Sequence, residues 1–246
     1  MDIDYLKSAS HGYCRSCGKD HYINQGNARQ YCLELMKTLE DAGRIDFHVP
    51  ERDADPCLTL DYIKGDARGQ MFGVLECTSQ DGQTVLLKAF SGQYNGVWEV
   101  DGWVPPLVDV EKFNLLVEDV DKQIKELGRR IGKLSEGIER QLIIQERKKM
   151  SRDLMKEIHG LYILHNFRSR TRPLSDFFNK GIPTGAGDCC APKLLNAAAE
   201  MKLTPVSLAE IYWGKTNRSG TRTQGQFYTA CEEKCRPILG FMLCGL

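Results

Sequence analysis

The stretch CCAPKLLNAAAEMKLTPVSLAEIYWG, residues 189–214, decides the architecture. Its first half is rich in Ala and Leu and is headed by two cysteines, which reads as the start of a helix. Its second half, PVSLAEIYWG, is a short apolar run ending in aromatics and Gly, which reads as a strand. Before it, LSDFFNKGIPTGAG gives a short helix and a glycine-rich loop. After it, the long polar loop GKTNRSGTRTQGQFY leads to ACEEKCRPILGFML, a second helix headed by cysteines. Further upstream, MFGVLECTSQDGQTVLLKAFSG places two apolar runs about a turn at Gln80, Asp81 and Gly82, a β-hairpin pattern. The next stretch, QYNGVWEVDGWVPPL, carries Trp98, Trp103 and the pair Pro105 and Pro106, so it is expected to be a packed loop that ends the sheet layer. The elements therefore run β-β-α-β-α, an α/β fold.

A long helical segment interrupts that order. Val110, Phe113, Val117, Val120, Ile124, Leu127, Ile131, Leu134 and Ile138 alternate spacings of three and four, a heptad stripe that needs a partner along its length. Gly132 and Gly137 weaken the helix near its end, and a second apolar series (Leu142, Met150, Leu154, Ile158, Leu161) follows. An antiparallel helical hairpin satisfies both series within one chain; an intermolecular coiled coil, and hence an oligomer, is the competitor. Residues 1–68 read as a polar N-terminal extension with one amphipathic helix from Ala28 to Ala42, showing Cys32, Leu35, Met36 and Leu39 on one face and closed by Gly43. The chain thus divides into 1–68 (extension), 69–108 (hairpin of the core), 109–172 (helical insertion) and 173–246 (cysteine-bearing part of the core).

Composition narrows the function. The chain has 246 residues, is 41% hydrophobic, and balances 33 Lys and Arg against 33 Asp and Glu, so it is long enough for one or two globular domains. Zero net charge argues against indiscriminate binding to nucleic acid, although a local basic patch remains open. The start MDIDYLKSAS lacks a basic region followed by an apolar stretch, and no long apolar run occurs, so neither a secretory leader nor a membrane span is expected and the expected compartment is the cytoplasm.

There are ten cysteines. In a reducing compartment a disulfide framework is not expected, so clustered cysteines are weighed first as metal ligands. Cys57, Cys77 and Cys244 stand in apolar surroundings and read as buried structural residues. Cys189 sits where a helix begins, while Cys231 and Cys235 fall one turn apart on one face if their segment is helical, so three thiolates converge. Zinc takes such ligands tetrahedrally. If Cys190 completes the shell the site is closed and structural; if not, a fourth position is open to water and substrate. Cys14, Cys17, His21 and Cys32 form a second candidate metal site near the N-terminus. Two carboxylates are placed for proton transfer: Asp188 beside the first ligand and Glu210 on the adjacent strand. The plainer role of Asp188 is a helix N-cap, held ionised by helix N–H groups, and that of Glu210 is an ion-paired strand residue. As a shuttle Glu210 is preferred, because a core strand shields its carboxylate and raises its pKa toward neutrality.

This element order and ligand placement resemble the cytidine-deaminase-like zinc fold. There a His or Cys heads the first core helix in a His/Cys-Ala-Glu motif, a Cys pair at the next helix supplies the other ligands, and the Glu moves protons. CCAPKLL is similar to the first motif, with Cys189 in the ligand position, and ACEEKC to the second. Two departures stand out: the second pair is spaced by three residues instead of two, and the glutamate position is Ala191. A second resemblance covers most of the chain from about Gln70 onward. MFGVLEC, AFSGQYNGVWEVDGWVPPL, GIPTGAGDCCAPKLLNAAA, LAEIYWG and CRPILGFMLCGL resemble an uncharacterised bacterial family also found as the N-terminal region of some RluA-type RNA pseudouridine synthases. Nothing resembles the catalytic Asp motif of the synthase, so pseudouridine formation is not expected; the resemblance implies a connection to RNA modification.

A basic arm is consistent with that connection. Arg147, Lys148, Lys149, Arg152, Lys156, Arg168, Arg170 and Arg172 outnumber Asp153 and Glu157 over 147–172, and the first four are the candidate nucleic-acid contacts; a solvated helix face explains the same charges more plainly. Lys215, Arg218 and Arg222 lie near the cysteine segment and would suit an anionic substrate. The expected protein is a zinc-binding, deaminase-like α/β chain acting on a nucleobase, nucleotide or RNA, its rival a non-catalytic zinc-stabilised module that binds RNA or protein.

Overall fold

The computed structural model describes residues 9–246; the reading of the first residues as leaderless lies outside that range. Strands β1 (Ser10–Cys14) and β2 (Lys19–Ile23) form an antiparallel hairpin with Cys14 opposite Lys19. Helix α1 (Ala28–Ala42) keeps the expected bounds. It buries Ala28, Cys32, Leu35, Met36 and Leu39, and stops because Gly43 adopts φ 67° and returns its N–H to the Leu39 carbonyl at 2.8 Å. The single turn α2 (Asp61–Lys64) precedes β3 (Gln70–Thr78) and β4 (Thr84–Phe90), the expected hairpin, with Gly82 at φ 81° in its turn.

Then come α3 (Val110–Lys133), α4 (Ile138–Gly160), the small ribbon β5 (Ile163–His165) and β6 (Thr171–Pro173), α5 (Cys190–Glu200), β7 (Thr204–Trp213), β8 (Phe227–Tyr228) and α6 (Arg236–Met242). The main sheet has the order β4-β3-β7-β8 and every neighbouring pair is antiparallel. The register of β3 with β7 slips between Glu76 and Cys77, where Cys77 meets Pro205, a residue with no N–H to give to the ladder.

Both faces of this sheet are covered, and the twofold alternation of strand side chains sorts them. On β3 and β7, Met71, Leu75, Cys77, Leu208 and Tyr212 join the core under α5 and α6, while Phe72, Val74, Ala209 and Ile211 join the core under α1. The N-terminal segment is therefore no loose extension: α1 supplies one of the two layers, and the β1-β2 hairpin packs against α6. It reads as polar in sequence because α1 exposes its other face.

α3 and α4 run antiparallel. Ile124 shares a groove with Leu142, and Val120 shares one with Met150 and Leu154. The heptad stripe is not one helix, because α3 ends at Lys133 and Ile138 opens α4, 80% exposed. The base of α3 is tied to the core through Phe113, Leu116 and Val117.

Candidate functional site

The site forms where the starts of α5 and α6 meet the face of β7. α5 is apolar around most of its surface, with Cys190, Ala191, Leu194, Leu195, Ala197 and Ala198 buried, so it sits flat on the sheet. Pro192 lies within its first turn, where an N–H would have no partner in the helix. The close approach needs Gly73 on β3: a Cβ there would lie 2.8 Å from the Cβ of Cys190. Gly73 is directly opposite Glu210 in the ladder, and two-residue alternation places Glu210 between Leu208 and Tyr212 on the face that α5 covers.

Three expected cysteines come together. Cys189 is the N-cap residue of α5 and Cys235 that of α6, while Cys231 precedes α6 by one turn, held by the bond from the Cys235 N–H to its carbonyl at 3.1 Å. Cys231 is thus not within the helix, but that one turn has the effect expected of helical spacing. The sulfurs of Cys189, Cys231 and Cys235 lie within 4.8 Å of one another, with Cys231 and Cys235 3.5 Å apart. Hydrogen bonding among the three thiols holds Cys231 below the usual thiol pKa, and those contacts, with burial, push Cys189 and Cys235 upward. This donor set fits a thiophilic ion such as zinc, which would replace the thiol protons.

Cys190 does not belong to this group. It is fully buried and its thiol donates to the Met71 carbonyl at 3.3 Å, because adjacent residues at a helix start point about a quarter-turn or more apart. Among the described residues no fourth His, Cys, Asp or Glu joins the three.

The two carboxylates exchange their expected environments in part. Glu210 is 4% exposed, and its Oε1 accepts from the Ala191 N–H at 3.1 Å, so the strand glutamate and not Asp188 meets an orphan N–H of α5. Burial pushes its carboxyl up to about 7, against the pull of that N–H. Asp188 is not the cap. Its Oδ1 accepts from the Tyr162 hydroxyl at 2.8 Å, and burial raises its pKa where ionisation by a cap was expected. Asp188, Glu210, Cys189 and Cys231 line one cavity of about 530 Å³, together with Ser91, Gly92, Arg222 and Lys234, and Cys235 lies behind its wall. Lys193, 1% exposed, fixes the wall by donating to the Phe90 carbonyl at 2.9 Å. Of the expected loop cations, Arg222 lines the cavity while Lys215 is paired with Asp66 at 3.8 Å. Lys234, Tyr162 and Lys193 were not singled out in the sequence; only Lys234, between the paired cysteines, carried a readable signal.

A second group lies elsewhere. Cys14, Cys17 and His21 come together as expected, but Cys32 does not join them: it is buried on α1 and its thiol donates to the Ala209 carbonyl at 3.3 Å. The fourth member is Cys244, read from sequence as a plain core cysteine. Both groups are geometrically able to hold a metal ion. Cys57, also expected in the core, is exposed.

Arg147, Lys148, Lys149 and Arg152 are exposed on α4 and line a groove of about 870 Å³ with Ile124 and Leu142. No helix of the described residues is long and apolar enough to cross a membrane. No protein-family model matches the chain, and no curated protein or solved structure matches it.

Proposed function

We propose that the chain is a zinc-dependent hydrolase of the deaminase type, acting on an exocyclic amine of a nucleobase, nucleotide or RNA. The observation that supports it best is the buried Glu210 carboxyl lining the same open cavity as Cys189 and Cys231, whose sulfurs converge with that of Cys235. Cys189, Cys231 and Cys235 would hold the ion, which when bound supplies a Lewis acid that brings the pKa of a water toward about 7. Glu210 does the proton work. With a pKa of about 7 its Oε atoms can accept one proton of an attacking water and pass it to a ring nitrogen, then take the remaining hydroxyl proton and give it to the departing amine, so that water and substrate give a carbonyl and ammonia. The Ala191 N–H orients the carboxylate for this transfer. Asp188, fixed by Tyr162, offers an acceptor to substrate amine or hydroxyl groups, and Arg222 and Lys234 suit an anionic substituent such as a phosphate.

The non-catalytic rival, a zinc-stabilised module contacting RNA or protein, keeps one supporting observation, the basic groove of α4. Its premise of a four-sulfur shell is weakened by the orientation of Cys190 toward Met71. The test is ammonia release from a panel of nucleosides, nucleotides and short RNAs by zinc-loaded protein. Turnover by the wild type and its loss in a Glu210→Gln variant that still holds zinc is the expected result. No turnover across the panel would leave the binding module standing.

A further inference from the structure

We propose that Cys14, Cys17, His21 and Cys244 form a second, closed zinc centre that clamps the C-terminal end of α6 onto the β1-β2 hairpin. It involves none of the residues assigned to catalysis and stands independently of that assignment.

The placement follows from local structure. Cys14 ends β1, Cys17 lies in the following turn and His21 lies on β2. The turn closes through the Gly18 N–H on the Cys14 carbonyl at 2.8 Å, with Gly18 at φ 70°, a conformation that a side chain would strain. Such a turn brings the two thiols of a Cys-x-x-Cys together, and the hairpin brings His21 back beside them: its Nε2 is 3.1 Å from the Cys17 sulfur. Cys244 arrives from the far end of the chain, two residues beyond α6. All four donor atoms lie within 4.8 Å of one another, and Cys14 and Cys244 are each 1% exposed.

Three sulfurs and one imidazole are a complete tetrahedral set for zinc, so the protein itself fills every position and none is left for substrate. This separates the centre from the cysteine cavity, whose donors among the described residues number three. The approach of α6 to the hairpin is also built in. A Cβ on Gly12 would lie 2.4 Å from the Gly240 nitrogen, and one on Gly240 2.3 Å from the Tyr13 carbonyl, so two glycines bring strand and helix into backbone contact. Because α6 carries Cys235 at its start and Cys244 just past its end, one ion at each end would fix its position.

The test is zinc content of the full chain, measured by elemental analysis. Wild type is expected to hold two equivalents, Cys244→Ser one and Cys231→Ser one. Cys244→Ser with the wild-type content overturns the second centre. One equivalent in wild type, lost only in Cys231→Ser, also overturns it while sparing the catalytic site; one equivalent lost only in Cys244→Ser supports it and sinks the catalytic metal. Should Cys244→Ser fail to fold, cobalt(II) is loaded into His21→Cys, which retains four donors. The expected result is an unchanged cobalt content with the visible bands of one ion shifted toward those of a four-thiolate site; a spectrum identical to wild type overturns the proposal.

Discussion

The Oε1 of Glu210 lies 3.1 Å from the Ala191 nitrogen and accepts its N–H. Its carboxylate thus reaches the start of α5 from the neighbouring strand. A strand residue can do this because Gly73, its ladder partner, leaves α5 free to lie close to the sheet. The same strand also serves the opposite face, where the Ser207 hydroxyl accepts from the Ala28 N–H at 2.9 Å at the start of α1. β7 therefore anchors the first turns of two helices, one on each side.

The buried carboxyl makes stability depend on pH. Its folded pKa, about 7, exceeds the ordinary 4.5, so the folded state binds the proton more tightly. The associated stability is complete below about 4.5 and is lost as pH rises through about 7, a difference of roughly 3 kcal/mol. In metal-free protein, denaturant midpoints measured from pH 5 to 8 should fall for wild type and fall much less for Glu210→Gln. Parallel curves would show that Glu210 is already ionised in the folded chain.

Gly73→Ala tests the close approach of α5. The added methyl would meet the Cys190 Cβ at 2.8 Å and the Leu194 Cδ1 at 3.1 Å, and neither belongs to a flexible side-chain end in solvent. A loss of about 1 to 3 kcal/mol is expected from overpacking, with weaker zinc retention because Cys189 moves with the helix. Unchanged melting and zinc content would mean that α5 does not depend on this gap.

Much of this was legible in the sequence, and the misses share a cause. The α1 bounds, the β3-β4 hairpin, the strand at β7 and the convergence of Cys189, Cys231 and Cys235 follow from periodicity, turn residues and helix-start chemistry, all local signals. Cys32 and Cys244 depart from their expected roles because those roles depend on long-range packing: Cys32 turns toward β7, whereas Cys244 returns to a hairpin more than two hundred residues earlier. Asp188 looked like a cap because it precedes a helix, but Tyr162 at the far end of the helical insertion claims its carboxylate. The break between α3 and α4 was half legible, since Gly137 marked it while the apolar spacing ran straight through to Ile138.

The basic groove predicts a salt-dependent interaction. Arg147, Lys148, Lys149 and Arg152 crowd one stretch of α4, all exposed, so each can reach a phosphate at little desolvation cost. Short single-stranded RNA is expected to bind weakly, with affinity falling steeply as salt rises, and replacement of the four by Glu should abolish binding without altering zinc content. Affinity unmoved by that reversal removes the groove as a nucleic-acid surface.

The helical pair makes the last prediction, since its two apolar series could be satisfied within the chain or between chains. Leu127 is the buried residue of α3, and Ile143 and Ile158 are its counterparts on α4. The connection spans only residues 134–137, so the partner helix is tethered at high effective concentration and docks without a second copy. Leu127→Ala should then cost about 2 to 3 kcal/mol through the cavity it leaves, and the loss should be the same at every protein concentration. Sedimentation of wild type and variant would check this, with equal monomer masses expected for both. A wild-type dimer that dissociates in the variant would transfer the apolar stripe from an intramolecular pair to an intermolecular coil.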